Sequence, residues 1–255
     1  MKQGILYSQE QIPAFKCPSC NQGDMSPVGE LKIRQIAEAR TGGDTRTILR
    51  SDLLCQNQEC ADVGILVMSG EFYSDEDCGY EMLFTPTYID PAPDFFPLNP
   101  KYPYKIRMLL ELVFSLFWVE QASCGNKLRV AVEELLTQLG IEQHRTKSGV
   151  AVLSSKGYPK PIPLQERLDK CKKLGKVERK CIGALEAIKW LGNESSHSAD
   201  GVFQHTTYQA IMVFGAVLQQ IYLGAALPEN TDFSVNNINF FYNPNEQEVR
   251  PNKGT

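Results

Sequence analysis

The spacing of hydrophobic residues changes near residue 104. Before that point, short runs that contain apolar residues lie between turn residues, at 31–34, 47–50, 63–68 and 81–84. Such runs predict strands. After it, apolar residues recur every three or four positions, which predicts helices with one buried face. The sequence therefore predicts an α+β fold, with a small β module followed by a bundle of four to five α-helices.

Prolines separate these two regions. Six of them lie between Pro86 and Pro103, a density that excludes a regular helix. We therefore divide the chain into a β module at 1–90, a proline-rich strap at 91–103, a helical bundle at 104–225 and a polar tail at 226–255. The tail contains no amphipathic run, and beyond residue 243 we expect disorder. Within the bundle, Ser123 or Asn126 is predicted to cap the second helix, which Gly140 ends.

The composition limits the class of protein. A hydrophobic fraction of 42% in 255 residues is ample for a packed core. The net charge of -4 and the pI near 5.5 argue against a generally basic surface for nucleic acid. No secretory signal precedes residue 20, and charged residues interrupt every long apolar run. We therefore expect a cytoplasmic protein without membrane contact.

Four cysteines in the β module form two close pairs. Cys17 and Cys20 have two residues between them, and Cys55 and Cys60 have four. A tetrahedral Zn²⁺ takes four thiolates, and two tight turns supply them with little loss of chain entropy. With no histidine nearby, the spacing predicts a closed, structural zinc ribbon. The alternative is four unliganded thiols of a cytosolic protein.

One segment of the helical region is strongly basic. Only Asp169 and Glu178 lie nearby to offset six cations, which are Lys170, Lys172, Lys173, Lys176, Arg179 and Lys180. A charge run of this kind is usually a solvated face. The alternative is an edge that contacts phosphates, with salt-sensitive binding that is not specific for sequence.

The segment from Cys181 to His197 combines an apolar helix face with a polar one. The polar face carries Glu186, Lys189, Asn193 and His197, at steps of three or four residues. Their side chains are therefore within mutual reach if the helix continues to the histidine. Gly192 interrupts this run and indicates a close contact or a helix end.

This segment carries a resemblance to a known family. The run from Lys189 to His197 resembles the signature "GN, three residues, His" of a bacterial domain family of unknown function, found fused to restriction subunits and in defence loci. That family belongs to the HEPN superfamily of small helical bundles, many of which are dimeric RNases. Arg129 and Glu133 similarly match its "R, three residues, E" helix; alone, they would form an ordinary ion pair at i, i+4.

The resemblance implies a homodimer and a site at Asn193 and His197. Gly192 stands where the nuclease arginine would be, and glycine offers no donors for phosphate. The first hypothesis is therefore a non-catalytic, zinc-containing module of a prokaryotic defence or toxin-related system, phage defence included, that binds a partner protein, RNA or DNA. The second is a metal-independent RNase in which His197 is the acid or base, Asn193 orients it, and Lys189 or a residue across the dimer stabilises phosphate charge.

A third hypothesis assigns DNA recognition to the zinc ribbon alone. It draws on four arginines between the cysteine pairs, which are Arg34, Arg40, Arg46 and Arg50. These arginines are equally compatible with ordinary positions on a solvated strand face.

Overall fold

The computed structural model describes residues 7–8, 12, 14–37, 45–75, 79–197 and 201–247. These residues form two compact units. One unit comprises Met1–Phe95 with Phe114–Val119, and the other comprises Phe96–Val113 with Glu120–Thr255. The predicted α+β class, with strands before helices, is confirmed.

The first unit contains one antiparallel sheet whose five strands are paired in chain order. The strands are β1 (Phe15–Lys16), β2 (Asp24–Ala37), β3 (Thr45–Cys55), β4 (Val63–Asp75) and β5 (Gly79–Asp90). Strand β3 shows why the sheet forms. Leu49 and Leu53 are buried, whereas Arg50 and Asp52 between them are exposed. This period of two places one face of the strand in the core. The residues 38–44, which connect β2 to β3, lie outside the described residues.

The second unit is helical and contains one short hairpin. The elements that follow β5 are α1 (Tyr104–Val119), whose residues 114–119 belong to the first unit, and α2 (Gln121–Gln138), β6 (Thr146–Lys147), β7 (Val150–Ala151), α3 (Leu164–Lys173), α4 (Arg179–His197), α5 (Gln204–Leu223), α6 (Thr231–Tyr242) and α7 (Pro244–Gln247). Helices α2 and α4 make the most extensive contact between any two of these helices. None of the helices in the described ranges is long and apolar enough to cross a membrane.

Two details of the helices differ from expectation. The cap of α2 is Glu120 and neither Ser123 nor Asn126, because the Glu120 carboxylate accepts hydrogen bonds from the backbone N–H groups of Ala122 and Ser123. These two bonds satisfy donors that the first helical turn leaves free. The pKa of Glu120 is lowered, mainly by a hydrogen bond from the Ser123 side chain and further by these two backbone bonds.

Five described helices, α1 to α5, lie within 104–225, which agrees with the predicted four to five, and the segment expected to be a polar tail contains two more, α6 and α7. The apolar residues of α6 are not confined to one face, because Phe233 and Phe240 are exposed whereas Ile238 and Tyr242 are buried. The Tyr242 hydroxyl lies 2.8 Å from Thr206 Oγ1 and accepts a 3.0 Å hydrogen bond from the Phe203 backbone N–H. Tertiary contacts of individual residues therefore hold a helix that the sequence pattern does not predict.

Candidate metal centre and polar cleft

The four predicted cysteines lie together in the first unit. The Sγ atoms of Cys17, Cys20, Cys55 and Cys60 all lie within 4.8 Å of one another. The distance from Cys17 Sγ to Cys60 Sγ is 3.9 Å, and that from Cys20 Sγ to Cys55 Sγ is 3.7 Å. Sulfurs placed about 2.3 Å from a central tetrahedral Zn²⁺ are about 3.8 Å apart. The four thiols therefore could hold a metal ion of this size.

The strand register explains why the two pairs meet. Cys17 and Cys20 form a turn between β1 and β2, and Cys55 ends β3 opposite Met25 of β2. The turns are closed by backbone hydrogen bonds, from Cys17 N–H to the Gly23 carbonyl at 3.0 Å and from Cys60 N–H to the Asn57 carbonyl at 3.0 Å. A backbone bond from Gln56 N–H to the Asp24 carbonyl, at 2.9 Å, then joins the two turns.

Gly23 permits the close approach of the second turn. A Cβ atom at this position would lie 2.6 Å from Cys55 Sγ and 2.7 Å from the Asn57 backbone nitrogen. Real Cβ atoms do not make contacts this short, and neither neighbour is the end of a flexible side chain. Any other residue at Gly23 would push the two cysteine pairs apart.

The thiols differ in their readiness to bind a metal. Backbone N–H groups of Gly23 and Gln22 donate to Cys20 Sγ and lower the pKa of Cys20 to about 6. Burial raises the pKa of Cys55 to about 12. Because a metal binds the thiolate, its binding would release the proton that burial favours on Cys55. Four sulfur ligands leave no position for a substrate, so the chemistry of this donor set is that of a structural site.

The arginines of the same region support no single binding face. Arg50 forms a 3.1 Å ion pair with Asp52, and Arg34 is exposed on β2. Arg40 and the side chain of Arg46 lie outside the described residues. DNA recognition by the ribbon therefore stays a prediction.

The second unit contains a polar cleft of about 670 Å³. It includes two of the three residues predicted as catalytic, Lys189 and Asn193, on α4. The third, His197, ends α4, and its side chain lies outside the described residues. The full lining is Arg129, Pro163, Leu164, Gln165, Glu186, Lys189, Trp190, Asn193, Asn243 and Asn245. The structure thus joins the predicted α4 residues to Gln165 and to two asparagines of the segment that was expected to be a polar tail.

Lys189 is the most enclosed cation of the cleft, with a relative exposure of 4%. Its ammonium donates to Gln165 Oε1 and lies 3.2 Å from the centroid of the Trp190 ring. Gln165 is oriented by its own amide, which donates to Glu186 Oε1 at 3.2 Å and to Asp169 Oδ1 at 3.3 Å. Burial lowers the pKa of Lys189, and the nearby positive charge of Arg129 lowers it further, whereas Glu186 and Asp169 raise it.

Arg129 reaches the cleft across Gly192. A Cβ atom at Gly192 would lie 2.6 Å from the Arg129 Cβ and 2.9 Å from its Cδ. The missing side chain thus leaves the space in which the stem of Arg129 lies. The Arg129 side chain is about one-third exposed, and its guanidinium forms a loose ion pair of 3.5 Å with Glu133. Its buried Nε atom has no hydrogen-bond partner. The interruption noted at Gly192 therefore marks a close helix contact, and α4 continues through it.

The fold and these two features define a class of protein: an α+β chain with a four-cysteine cluster that could hold a metal ion, followed by a helical unit with a polar cleft. The chain belongs to the family described as "Domain of unknown function (DUF4145)", whose model matches residues 111–239, just over half of its length. The matched range includes most of the cleft but none of the four cysteines. No curated protein and no solved structure matches the chain.

Proposed function

We propose that the chain is a zinc-containing, HEPN-like interaction module that associates with nucleic acid in a prokaryotic defence or toxin-related system and catalyses no reaction. The observation that carries the proposal is the exposed basic turn, defined as Lys172 and Lys173 at the end of α3, Lys176 in the connection to α4 and Arg179 at the start of α4. All four side chains are exposed, and none forms an ion pair with a carboxylate of the described residues. Free cations grouped in this way attract a phosphate backbone.

The neighbours of the basic turn differ from it. Lys170 pairs with Glu142 at 2.7 Å, and Lys180 pairs with Asp232 at 2.9 Å. Those two lysines therefore have partners on the protein, and the positive charge that remains is confined to one short turn. A contact of this size suits backbone binding without reading of bases.

The closed cysteine cluster supports the non-catalytic part of the proposal. Its four thiolates would hold zinc as a structural ion, with no open coordination position for a substrate or an activated water. In this proposal, zinc stabilises the β module, the helical unit forms a homodimer, and the module acts through a partner protein or the nucleic acid that it binds.

The test measures binding of fluorescein-labelled single-stranded RNA, tRNA and duplex DNA by fluorescence anisotropy at several salt concentrations. We expect binding whose dependence on salt is weaker in a triple variant, Lys172→Gln, Lys173→Gln and Lys176→Gln. Each lost contact to a single strand removes about 0.7 from the slope of log K against log salt. A triple variant at the exposed Lys147, Lys156 and Lys160 is the control, with the same change in charge. Equal effects of both variants, or no binding by the wild type, would contradict the proposal.

A metal-independent RNase is the second candidate, and one observation favours it. Arg129 lines the same cleft as Lys189 and Asn193. Its guanidinium offers donors for phosphate, which Gly192, at the position of the nuclease arginine, lacks. In this mechanism, His197 would transfer the proton, and the two cations would stabilise phosphate charge in the transition state. Incubation of end-labelled RNA with the wild type and a His197→Ala variant, without added metal, decides between the candidates. Cleavage that disappears in the variant would establish the RNase, and binding without cleavage supports the interaction module.

A further inference from the structure

The buried ammonium of Lys189 has unused hydrogen-bonding capacity. An ammonium group carries three N–H donors, and among the described residues Gln165 is its one hydrogen-bond acceptor. Trp190 covers part of the group with the face of its ring. A buried donor without an acceptor is costly, and a buried charge without a counter-ion is more so. The group therefore favours a ligand oxygen in the cleft.

The charges around the cleft add to this preference. Arg129 and Lys189 both line it, and Glu186 is the one carboxylate in the lining. Glu186 accepts a hydrogen bond from Gln165, while Lys189 forms no ion pair with a described carboxylate. The loose 3.5 Å pair with Glu133 leaves most of the Arg129 donors free. An anion that entered would meet two cations and one negative charge.

The neutral lining narrows the class of anion. Besides the cations, the cleft offers three side-chain amides with donor capacity, those of Asn193, Asn243 and Asn245. The Asn193 side chain makes no hydrogen bond with any described residue. Asn193 belongs to α4, whereas Asn243 and Asn245 belong to the segment around α7. A planar carboxylate is satisfied by two donors in its plane, whereas a tetrahedral phosphate accepts from several directions.

From this arrangement we infer that the cleft is a phosphate-binding site, in which Arg129 and Lys189 contact the phosphate oxygens. The volume of about 670 Å³ accommodates a nucleotide attached to that phosphate. The site differs from the basic turn in position and in depth. Gln165 lies in the first turn of α3, about 10 Å along the helix axis from Lys172, the first residue of the basic turn, which lies in the last turn of the same helix. The phosphate could come from a free nucleotide or from the end of an RNA strand.

The experiment uses Trp190 as a probe on the full, metal-loaded chain. The sequence contains two tryptophans, so a Trp118→Phe variant reports on Trp190 alone. Its emission is titrated with inorganic phosphate, with AMP, and with an RNA oligonucleotide carrying either a 5′-phosphate or a 5′-hydroxyl. We expect saturable changes with phosphate and AMP. A stronger response to the 5′-phosphorylated RNA than to its hydroxyl counterpart would assign the ligand to an RNA end, and a response to AMP alone would assign it to a nucleotide.

Variants locate the binding site. We expect Arg129→Gln and Lys189→Met each to weaken phosphate binding about tenfold or more, because each removes a charge-assisted hydrogen bond. The exposed Lys173→Gln in the basic turn is the matched control and should leave phosphate binding unchanged. Circular dichroism confirms that each variant is folded. If Lys189→Met does not fold, phosphate binding by Arg129→Gln tests the location of the site, because the Arg129 side chain is partly exposed.

Two results would overturn the inference: no response of the folded wild-type cleft to phosphate or AMP, or equal binding by Arg129→Gln and the wild type. Failure here is distinguishable from failure of the proposed function. The nucleic-acid test depends on the triple variant of the basic turn, whereas the phosphate test depends on two residues of the cleft. A variant that loses nucleic-acid binding but retains phosphate binding, or the reverse, therefore assigns each binding activity to its own site.

Discussion

The cysteine cluster takes its ligands from two short turns, whereas the polar cleft takes its lining from α2, α3, α4 and the residues around α7. In the cluster, local sequence fixes both the residue types and their spacing, and strand pairing has only to bring two turns together. In the cleft, each side chain is placed by a different helix contact. The comparison teaches that a site built from turns is visible in sequence, and that one built from packed helices is visible only in part.

Glycine has the same role at both places. Gly23 allows the second cysteine turn to approach the first, and Gly192 allows Arg129 to cross α4. In each case the absent side chain leaves room for the residue that provides the chemistry. We expect the loss of that room to have different consequences at the two sites, because a bound metal ion would link all four cysteines, whereas no single group links the residues of the cleft.

The largest expected effect is the loss of a metal ligand. In a Cys55→Ser variant we expect the zinc content to fall from one ion per chain towards zero and the β module to lose most of its stability. Apparent binding free energies of structural zinc are on the order of 10 kcal/mol, which is comparable to the stability of a whole domain. Mass-spectrometric metal analysis and thermal denaturation measure the two effects.

The matched control is Cys171→Ser, a buried cysteine of α3 outside the cluster. It should keep the full zinc content, with a loss of stability confined to local packing. A Cys55→Ser protein that retains one tightly bound zinc would show that the cluster is not the metal site.

A smaller effect is expected from Gly23→Ala, which leaves all four ligands in place. The added Cβ would meet Cys55 Sγ and the Asn57 backbone, so the two turns must move apart. Changes that disturb the surroundings of metal ligands typically lower affinity about 10- to 100-fold. Competition with a chromophoric chelator measures this affinity. Gln22→Ala, at an exposed position beside it, keeps the backbone N–H and should bind zinc as the wild type does.

In the cleft, two glycines of α4 form a matched pair. Gly183 has open space at its Cβ position, whereas Gly192 has the Arg129 Cβ at 2.6 Å. Gly183→Ala should stabilise the protein by about 0.5–1 kcal/mol, because alanine favours the helix. In Gly192→Ala, overpacking of about 1–3 kcal/mol opposes that gain, so we expect a net loss of about 1 kcal/mol. Urea denaturation measures the free energy of unfolding of both variants. Similar values would mean that the Arg129 side chain moves away from the added Cβ at little cost.

The sequence predicts the cysteine cluster more completely than it predicts the cleft. The α+β order and the four-cysteine cluster are predictable from local pattern and spacing. For the cleft, helical periodicity aligns Lys189 with Asn193, and Gly192 signals a contact, but nothing local identifies Arg129 as the residue that fills the space. Asn243 and Asn245 could not be assigned, because α6 is held by isolated contacts such as the bond between Tyr242 and Phe203. Cap choice fails for a similar reason, since the Glu120 carboxylate takes a role more often filled by serine or asparagine.

The smallest expected effect is a pH dependence specific to the cleft. Burial lowers the pKa of Lys189 below that of an unfolded lysine. Between the two pKa values the unfolded chain binds more protons, so the free energy of unfolding rises with pH. Below the folded pKa the penalty for the buried charge is present in full, and it is relieved as the pH rises into the alkaline range. A Lys189→Met variant lacks the titrating group, and its free energy of unfolding should not show this increase. Urea denaturation of both proteins from neutral pH upwards measures the difference, with Lys173→Met as the exposed control. Parallel pH profiles for the wild type and Lys189→Met would show that the ammonium is solvated, and would remove the reason for expecting a ligand oxygen beside it.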